Sequence, residues 1–346
     1  MISLRGNIGW RRWSACTVCQ TYPIQCVWYP IPLFVMPDIT NCAICDLATA
    51  NCAICRIPLF GLTDETKLKP CDGCDLARYC SDECQELHRT EHEGKCKERA
   101  AELRDELLFK QPESTHLGDC PICCLPLPFD ENFSQNGLQT CCTKLVCGGC
   151  AHADMERLKR GNQELTCPFC RHPLPATQEE AYANEMKRIA ANDPMAMTQI
   201  GIRLCDKEDF DGAFEYFTKS AELGDAQAHF ELYMMYRDGE CVEQDEKKEV
   251  YHLEEAAIRG HPYARFDLAM IEGRTRTGNR AMKHWIIAAS LGHDKSLVVA
   301  LKEMYKEGFI SKEFAATLRA HHAAVKATKS PEREAAAIYN AVHNIL

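Results

Sequence analysis

The stretch HLEEAAIRGHPYARFDL at residues 252–268 decides the fold, because the chain repeats its pattern on either side. Laid in register on Gly260, residues 216–232 read YFTKSAELGDAQAHFEL and residues 284–300 read HWIIAASLGHDKSLVVA, which sets Gly224, Gly260 and Gly292 at intervals of 36 and 32. Small pairs precede each glycine: Ser220-Ala221, Ala256-Ala257 and Ala288-Ala289. One helical turn earlier stand the larger pairs Tyr216-Phe217, His252-Leu253 and His284-Trp285, and after the glycines Ala228, Phe230 and Leu232 recur as Ala264, Phe266 and Leu268. Small residues let two helices approach closely, large ones fill the space between hairpins, and the glycine ends the second helix of each. A fourth unit, with Leu301, Tyr305 and Gly308, is weaker. Such units bury their apolar faces only by stacking, so residues 193–327 are expected to form one all-α helical-hairpin solenoid, followed by a C-terminal helix or tail over 328–346.

These residues resemble the Sel-one-like repeats, relatives of the tetratricopeptide repeats. Residues 239–260 fit that pattern best, although Cys241 stands where a glycine is usual and Glu249 where an alanine is usual. The resemblance implies a docking surface for a protein or peptide ligand of unknown identity.

The other half of the chain obeys different chemistry. Of 23 cysteines in 346 residues, all but Cys205 and Cys241 precede residue 171. Dense cysteine means either a secreted disulfide scaffold or metal binding in a reducing compartment. The first residues lack the charged, apolar, small-residue order of a secretory signal. The longest apolar stretch, from Cys26 to Met36, is broken by Pro30 and Pro32 and is far short of the roughly 20 residues of a membrane span. A cytoplasmic or nuclear, non-secreted protein with no membrane contact is therefore expected, and metal is favoured over disulfides. A net charge of −10 argues against nucleic acid as a partner, because a phosphate footprint is basic.

Two cysteine clusters follow one another. The first runs Cys52-x2-Cys55, fifteen residues, Cys71-x2-Cys74, Cys80-x3-Cys84 and His92-x3-Cys96. Eight donors fill two closed tetrahedral zinc sites. Cys42 and Cys45 are a competing first pair, since Asn-Cys-Ala-Ile-Cys occurs at 41–45 and again at 51–55, but they would lengthen the first gap to twenty-five; Cys52 and Cys55 are preferred. His88 is read as a surface histidine rather than a ligand. The order of ligands, with Tyr79-Cys80-Ser81 and Cys84-Gln85, resembles a MYND-type zinc finger. That resemblance implies one zinc on Cys52, Cys55, Cys80 and Cys84 and another on Cys71, Cys74, His92 and Cys96, while Arg89 occupies a place where tryptophan is common.

The second cluster reads Cys120-Pro121-Ile122-Cys123, seventeen residues, Cys141-Cys142, four residues, Cys147-x2-Cys150, sixteen residues, and Cys167-Pro168-Phe169-Cys170-Arg171. It resembles a RING finger of the all-cysteine kind. The resemblance implies a cross-brace in which Cys120, Cys123, Cys147 and Cys150 hold one zinc and Cys141, Cys142, Cys167 and Cys170 another. Cys124 is left over and is read as a buried thiol, with His152 as reserve ligand should the adjacent cysteines fail to reach one ion. The RING likeness further implies that Ile122 and Pro168 form a platform for a ubiquitin-conjugating enzyme, and that Arg171 bridges that enzyme and ubiquitin, a task suited to a planar guanidinium.

The whole chain thus reads as small zinc-stabilised α+β modules followed by the solenoid, with four Zn2+ ions, two per module. Residues 1–51 take no assignment; 52–96 form the MYND-like finger, 97–118 a helical linker, 119–172 the RING-like finger, and 173–192 a linker and entry helix. Glu98 to Lys110 reads as a short connecting helix, and Thr177 with Glu180 has the spacing of a capping box. The expected function is a RING-type ubiquitin ligase whose repeats select the substrate, with no catalytic residue of its own: closed zinc sites cannot activate water, and the gain would come from orientation. The rival is a noncatalytic zinc-dependent scaffold.

Overall fold

The computed structural model describes residues 69–79, 82–129, 136–239, 241–274, 278–306 and 312–343, for the backbone alone at 69, 301, 303–306 and 312–314. The chain divides into two compact units, Met1–Asp105 and Glu106–Leu346.

In the first unit, β1 (Lys69–Pro70) pairs antiparallel with β2 (Arg78–Tyr79), and α1 (Asp82–Leu108) follows, its last residues from Glu106 onward belonging to the second unit. Between the strands the chain turns through a knuckle closed by the Cys71 N–H donating to the Ala77 carbonyl at 2.9 Å. Arg99 on α1 forks onto Asp75 of the knuckle at 2.8 and 2.9 Å, holding that carboxyl below its usual range. The connecting helix expected over Glu98 to Lys110 is the second half of α1, which begins inside the cysteine cluster. No proline interrupts Asp82 to Leu108, so nothing stops the helix between the last ligands and the linker.

The second unit opens with β3 (Asn136–Gln139) antiparallel to β4 (Lys144–Cys147), and α2 (Gly148–Arg160) leaves directly from β4. Helix α3 (Gln178–Ala190) is capped by Thr177, whose hydroxyl accepts from the Glu180 N–H at 3.2 Å while the Glu180 carboxylate accepts from the Ala176 N–H at 2.8 Å. Then come α4 (Pro194–Cys205), α5 (Phe210–Glu222), α6 (Ala226–Asp238), α7 (Glu246–Ile258), α8 (Pro262–Arg274), α9 (Gly278–Ser290), α10 (Asp294–Lys306), α11 (Lys312–Ala327) and α12 (Pro331–Val342).

Helices α4 with α5, α6 with α7, and α8 with α9 pack most extensively, which makes them hairpins, and α5, α7 and α9 their second helices. Each of these ends on a register glycine at positive φ: Gly224 at 89°, Gly260 at 84° and Gly292 at 91°. The small pairs are the acceptors there. Gly224 N–H reaches the Ala221 carbonyl at 2.8 Å and Asp225 N–H the Ser220 carbonyl at 3.2 Å; Gly260 with His261, and Gly292 with His293, repeat the pattern on Ala257 with Ala256 and on Ala289 with Ala288. This is the Schellman termination, which glycine adopts without steric penalty. Helices α4 to α7 start on aspartates 193, 209, 225 and 245, whose carboxylates accept first-turn N–H groups.

The core runs along the stack. Ala213, Phe217, Ala221, Ala228, Leu232 and Met235 form one cluster, and Leu108, Tyr233, Leu253, Ala256, Ala257, Ala264 and Leu268 the next. Ala269, Ala281, Trp285 and Ala300 form a third. Of the fourth-unit residues, Leu301 and Tyr305 lie on α10, and Gly308 lies outside the described residues. Among the described residues no helix is long and apolar enough to cross a membrane.

The stack also holds neutral histidines. His229 and His252 meet Nδ1 to Nδ1 at 3.0 Å, and burial, the largest influence on each, pushes both down to about 4. Because their folded pKa values lie below the unfolded one, the stability present above pH ~6.5 is lost as pH falls toward about 4. Discounted for partial exposure, the pair should cost the array about 1 to 2 kcal/mol between pH 7 and pH 5, read as a lower midpoint in urea. A His252→Gln variant should flatten that dependence; an unchanged slope would remove the pair as its source.

Candidate zinc centres

In the first unit, Cys71 and Cys74 project from the β1–β2 knuckle, and His92 and Cys96, one turn apart on α1, meet them from the helix. Cys71 Sγ lies 3.7 Å from Cys96 Sγ, and Cys74 Sγ lies 3.1 Å from His92 Nε2. Thiolates bound tetrahedrally to one zinc at about 2.3 Å stand about 3.8 Å apart, whereas a disulfide needs about 2.05 Å. The spacing is therefore that of donors around an ion. His88 takes a different part from the one expected. It is half-buried, accepts or donates at 3.0 Å with the Tyr79 hydroxyl and stacks on the His92 ring at 5.2 Å, so it orients a ligand from outside the cluster. Of the partner set, Cys84 is buried on α1, while Cys52, Cys55 and Cys80, like Cys42 and Cys45, lie outside the described residues.

In the second unit the structure brings together Cys120, Cys123, Cys147 and Cys150, and separately Cys141, Cys142, Cys167 and Cys170. Cys123 and Cys147 are 3.8 Å apart, Cys142 and Cys167 3.9 Å, and Cys141 and Cys170 3.4 Å. Two knuckles of one design carry the outer pairs. In the first, Cys120 N–H bonds the Leu125 carbonyl at 3.0 Å and Cys124 N–H the Cys120 carbonyl at 2.8 Å. In the second, Cys167 N–H bonds the His172 carbonyl at 2.7 Å and Arg171 N–H the Cys167 carbonyl at 3.0 Å. The residue after each second cysteine takes positive φ, 55° at Cys124 and 63° at Arg171. That geometry throws its side chain outward. Cys124 is accordingly an exposed thiol and not the buried one expected.

The adjacent cysteines both reach their cluster because the chain curls tightly after β3, where Cys142 N–H and Thr143 N–H both bond the Gln139 carbonyl, at 3.2 and 2.7 Å. His152 is free of the cluster: it sits on α2 with its ring 4.7 Å from that of Tyr339. Each cluster has four donors and no open position, so none can hold a reacting water.

Burial, the largest influence, pushes the Cys96 thiol up to about 12 and Cys142 up to about 11. Burial also acts upward on Cys120, but the N–H groups of Cys123, Cys147 and Ile122 together outweigh it and hold that thiol at about 7. A bare cluster would thus keep most of its protons, and a metal must displace them.

The three residues expected to meet a partner are placed as follows. Ile122 is 41% exposed at the tip of the first knuckle; Pro168 is half-buried and Phe169 43% exposed at the tip of the second. Arg171 is exposed but paired, its Nη1 2.7 Å from Asp154 Oδ1 on α2, an oxygen that Arg157 shares at 2.9 Å. Burial alone would raise the Asp154 carboxyl; Arg171 and Arg157 outweigh it and hold it below its usual range.

Comparison with known proteins agrees with part of this. The family model of the MYND finger (zf-MYND) matches residues 42–96, a span that takes in both candidate first pairs. An uncharacterized protein of Neisseria meningitidis serogroup B is 33% identical over 100 residues, which cover 29% of this chain and 21% of that protein. The chain therefore spans about a fifth of the length of the curated relative it matches. Among solved structures, a Sel1 repeat protein from Oxalobacter formigenes shares 22% identity with a TM-score of 0.32, covering 35% of this chain and 96% of that one. A protective antigen of uropathogenic Escherichia coli strains with an SLR fold shares 18% identity with a TM-score of 0.36, covering 43% and 34% respectively. A zinc finger joined to a helical-repeat array supports a role in protein interaction.

Proposed function

We propose that this chain is a RING-type ubiquitin ligase that recruits a ubiquitin-conjugating enzyme through residues 119–172 and selects partner proteins through its helical repeats and MYND-like finger. Zinc would fill all the clusters, four ions in all with the set of Cys52, Cys55, Cys80 and Cys84. The observation that carries the reading is the pair of equivalent knuckles whose tips leave Ile122 and Phe169 exposed beside Cys-rich, closed metal clusters. Apolar side chains held out by a rigid metal-tied loop suit a small docking platform. No nucleophile is required of the chain; it would orient a thioester carried by its partner.

The scaffold reading is favoured by one observation, the Arg171–Asp154 ion pair, which occupies the guanidinium that would have to bridge enzyme and ubiquitin. At an exposed site such a pair is worth little, so a partner can displace it.

The deciding experiment supplies ubiquitin, activating enzyme, ATP and a panel of conjugating enzymes. Chains should form, and Ile122→Ala should abolish them without releasing zinc, since Ile122 is not a ligand. Arg171→Ala should lower the rate but leave capture of the unloaded conjugating enzyme nearly intact, because a contact made only with the loaded complex affects turnover more than docking. Absence of chains with every conjugating enzyme would leave the scaffold. Activity surviving both substitutions would place the platform elsewhere.

A further inference from the structure

Arg333 stands on the first turn of α12, about two hundred residues after the first knuckle, yet its side chain ends at the cluster of Cys120, Cys123, Cys147 and Cys150. Its Nη2 donates to Cys123 Sγ at 3.4 Å and to the Leu125 carbonyl at 3.2 Å. Its Nη1 donates to the Pro126 carbonyl at 2.7 Å and to the Thr328 carbonyl at 2.6 Å. One planar fork thus joins a metal-ligand sulfur, the backbone of the knuckle and the turn leading into α12. The backbone closes from the other side. Gly149, at the start of α2, lies so near α12 that a Cβ there would meet the Arg333 nitrogen at 2.7 Å. One face of α2 is lined further along by Tyr339, whose ring takes His152 at 4.7 Å and the Lys159 ammonium at 5.7 Å.

The charge balance gives the contact a purpose. Four thiolates around one divalent cation sum to two negative charges, which a buried site must offset with hydrogen-bond donors or a cation. A guanidinium offers both. Among the described residues the cluster of Cys141, Cys142, Cys167 and Cys170 has the Lys144 backbone N–H on Cys142 but no arginine or lysine side chain bonded to it, and it is the more exposed of the two.

We propose that Arg333 is a positioning residue for the buried all-cysteine site, fixing Cys123 and offsetting thiolate charge, so that the C-terminal helix is a working part of the zinc module and not a tail. The proposal rests on zinc filling that cluster. It is tested on the full chain by following zinc release to a chromogenic chelator, and by cadmium-113 NMR of the cadmium-substituted protein. Arg333→Met should release one ion roughly tenfold faster than the parent, the scale of effect seen when a ligand's outer hydrogen-bond partner is lost, and should shift one all-sulfur cadmium resonance while the others stay. Arg333→Lys, which keeps the charge and loses the fork, should fall between. Release unchanged for every ion, or accelerated equally for all of them, overturns the proposal, the second result meaning that α12 merely stabilises the unit. Should Arg333→Met fail to fold, Arg333→Lys decides: parental release at the affected site overturns the proposal. A parent in which metal analysis finds folded protein without an ion at this cluster would instead remove the zinc reading beneath it.

Discussion

Stripping zinc from the purified protein at neutral pH should abolish the fold of the cysteine-rich modules while the helical array stays folded. The modules contain little else to hold them. Among the described residues of 119–172 the apolar cluster is Cys120, Leu127, Val146 and Cys147, and two of those four are candidate ligands. Structural zinc contributes an apparent ~10 to 16 kcal/mol in small finger peptides, more than such a core can replace. The array, by contrast, buries Phe217, Leu232, Leu253, Leu268 and Trp285 with no metal involved. Metal analysis should find at least three zinc ions, one for each cluster of Cys71, Cys120 and Cys141, and a fourth if Cys52, Cys55 and Cys80 join Cys84. On chelation, limited proteolysis should open residues upstream of about 175 first while far-ultraviolet dichroism keeps most of its helical signal. Because the thiols take back protons as the metal leaves, release should also speed as pH falls. Two zinc ions or fewer in demonstrably folded protein would remove one of the modules.

How much of this was legible in the chain depends on how local the physics is. The Schellman glycines could be read because a positive φ excludes most side chains, so Gly224, Gly260 and Gly292 announce themselves, and the small pairs before them double as acceptors. The ligand sets came from the MYND and RING resemblances and not from spacing alone; among the described residues the structure gathers three groups with that same membership. What escaped the sequence is what joins distant segments. Arg333 has no periodic neighbour that marks it as a partner of Cys123, and its role follows only from α12 folding back onto α2. Arg265 escaped for the same reason: fully buried on α8, it donates to the Leu108 carbonyl at the end of α1 and lies 3.2 Å from His284 Nδ1. A cation at a helix C-terminus meets the negative end of the dipole, which explains a buried arginine that sequence alone would place on the surface. Cys124 was misjudged because burial of a cysteine is inferred from its type, whereas here the knuckle's left-handed residue turns it outward.

The same reasoning, from repeated position to buried role, fixes what a single truncation in the array should do. Trp285 aligns with Phe217 and Leu253, which are fully buried at the corresponding place in the two preceding hairpins, and it is itself only 8% exposed. It lies among Ala269, Ala281 and Ala300, with Phe266, Met282 and Val299 packed around them. Its buried neighbours there are alanines, too short to fill the volume that an alanine at 285 would leave, so any filling would have to come from Phe266, Met282 or Val299 moving inward out of their own packing. Trp285→Ala should therefore cost roughly 3 to 5 kcal/mol, the range for large aromatic truncations where the site cannot collapse. Trp285→Phe should recover much of it: the indole Nε1 makes no hydrogen bond among the described residues, so replacing it breaks none. Unfolding in urea, followed by dichroism on the zinc-loaded protein, separates the outcomes. Since the array is a stack in which each hairpin leans on its neighbours, the loss should appear as a lower midpoint for the whole array. A Trp285→Ala protein that melts with the parent would show that the side chain fills nothing, and Trp285 would then be better read as a contact for a protein partner.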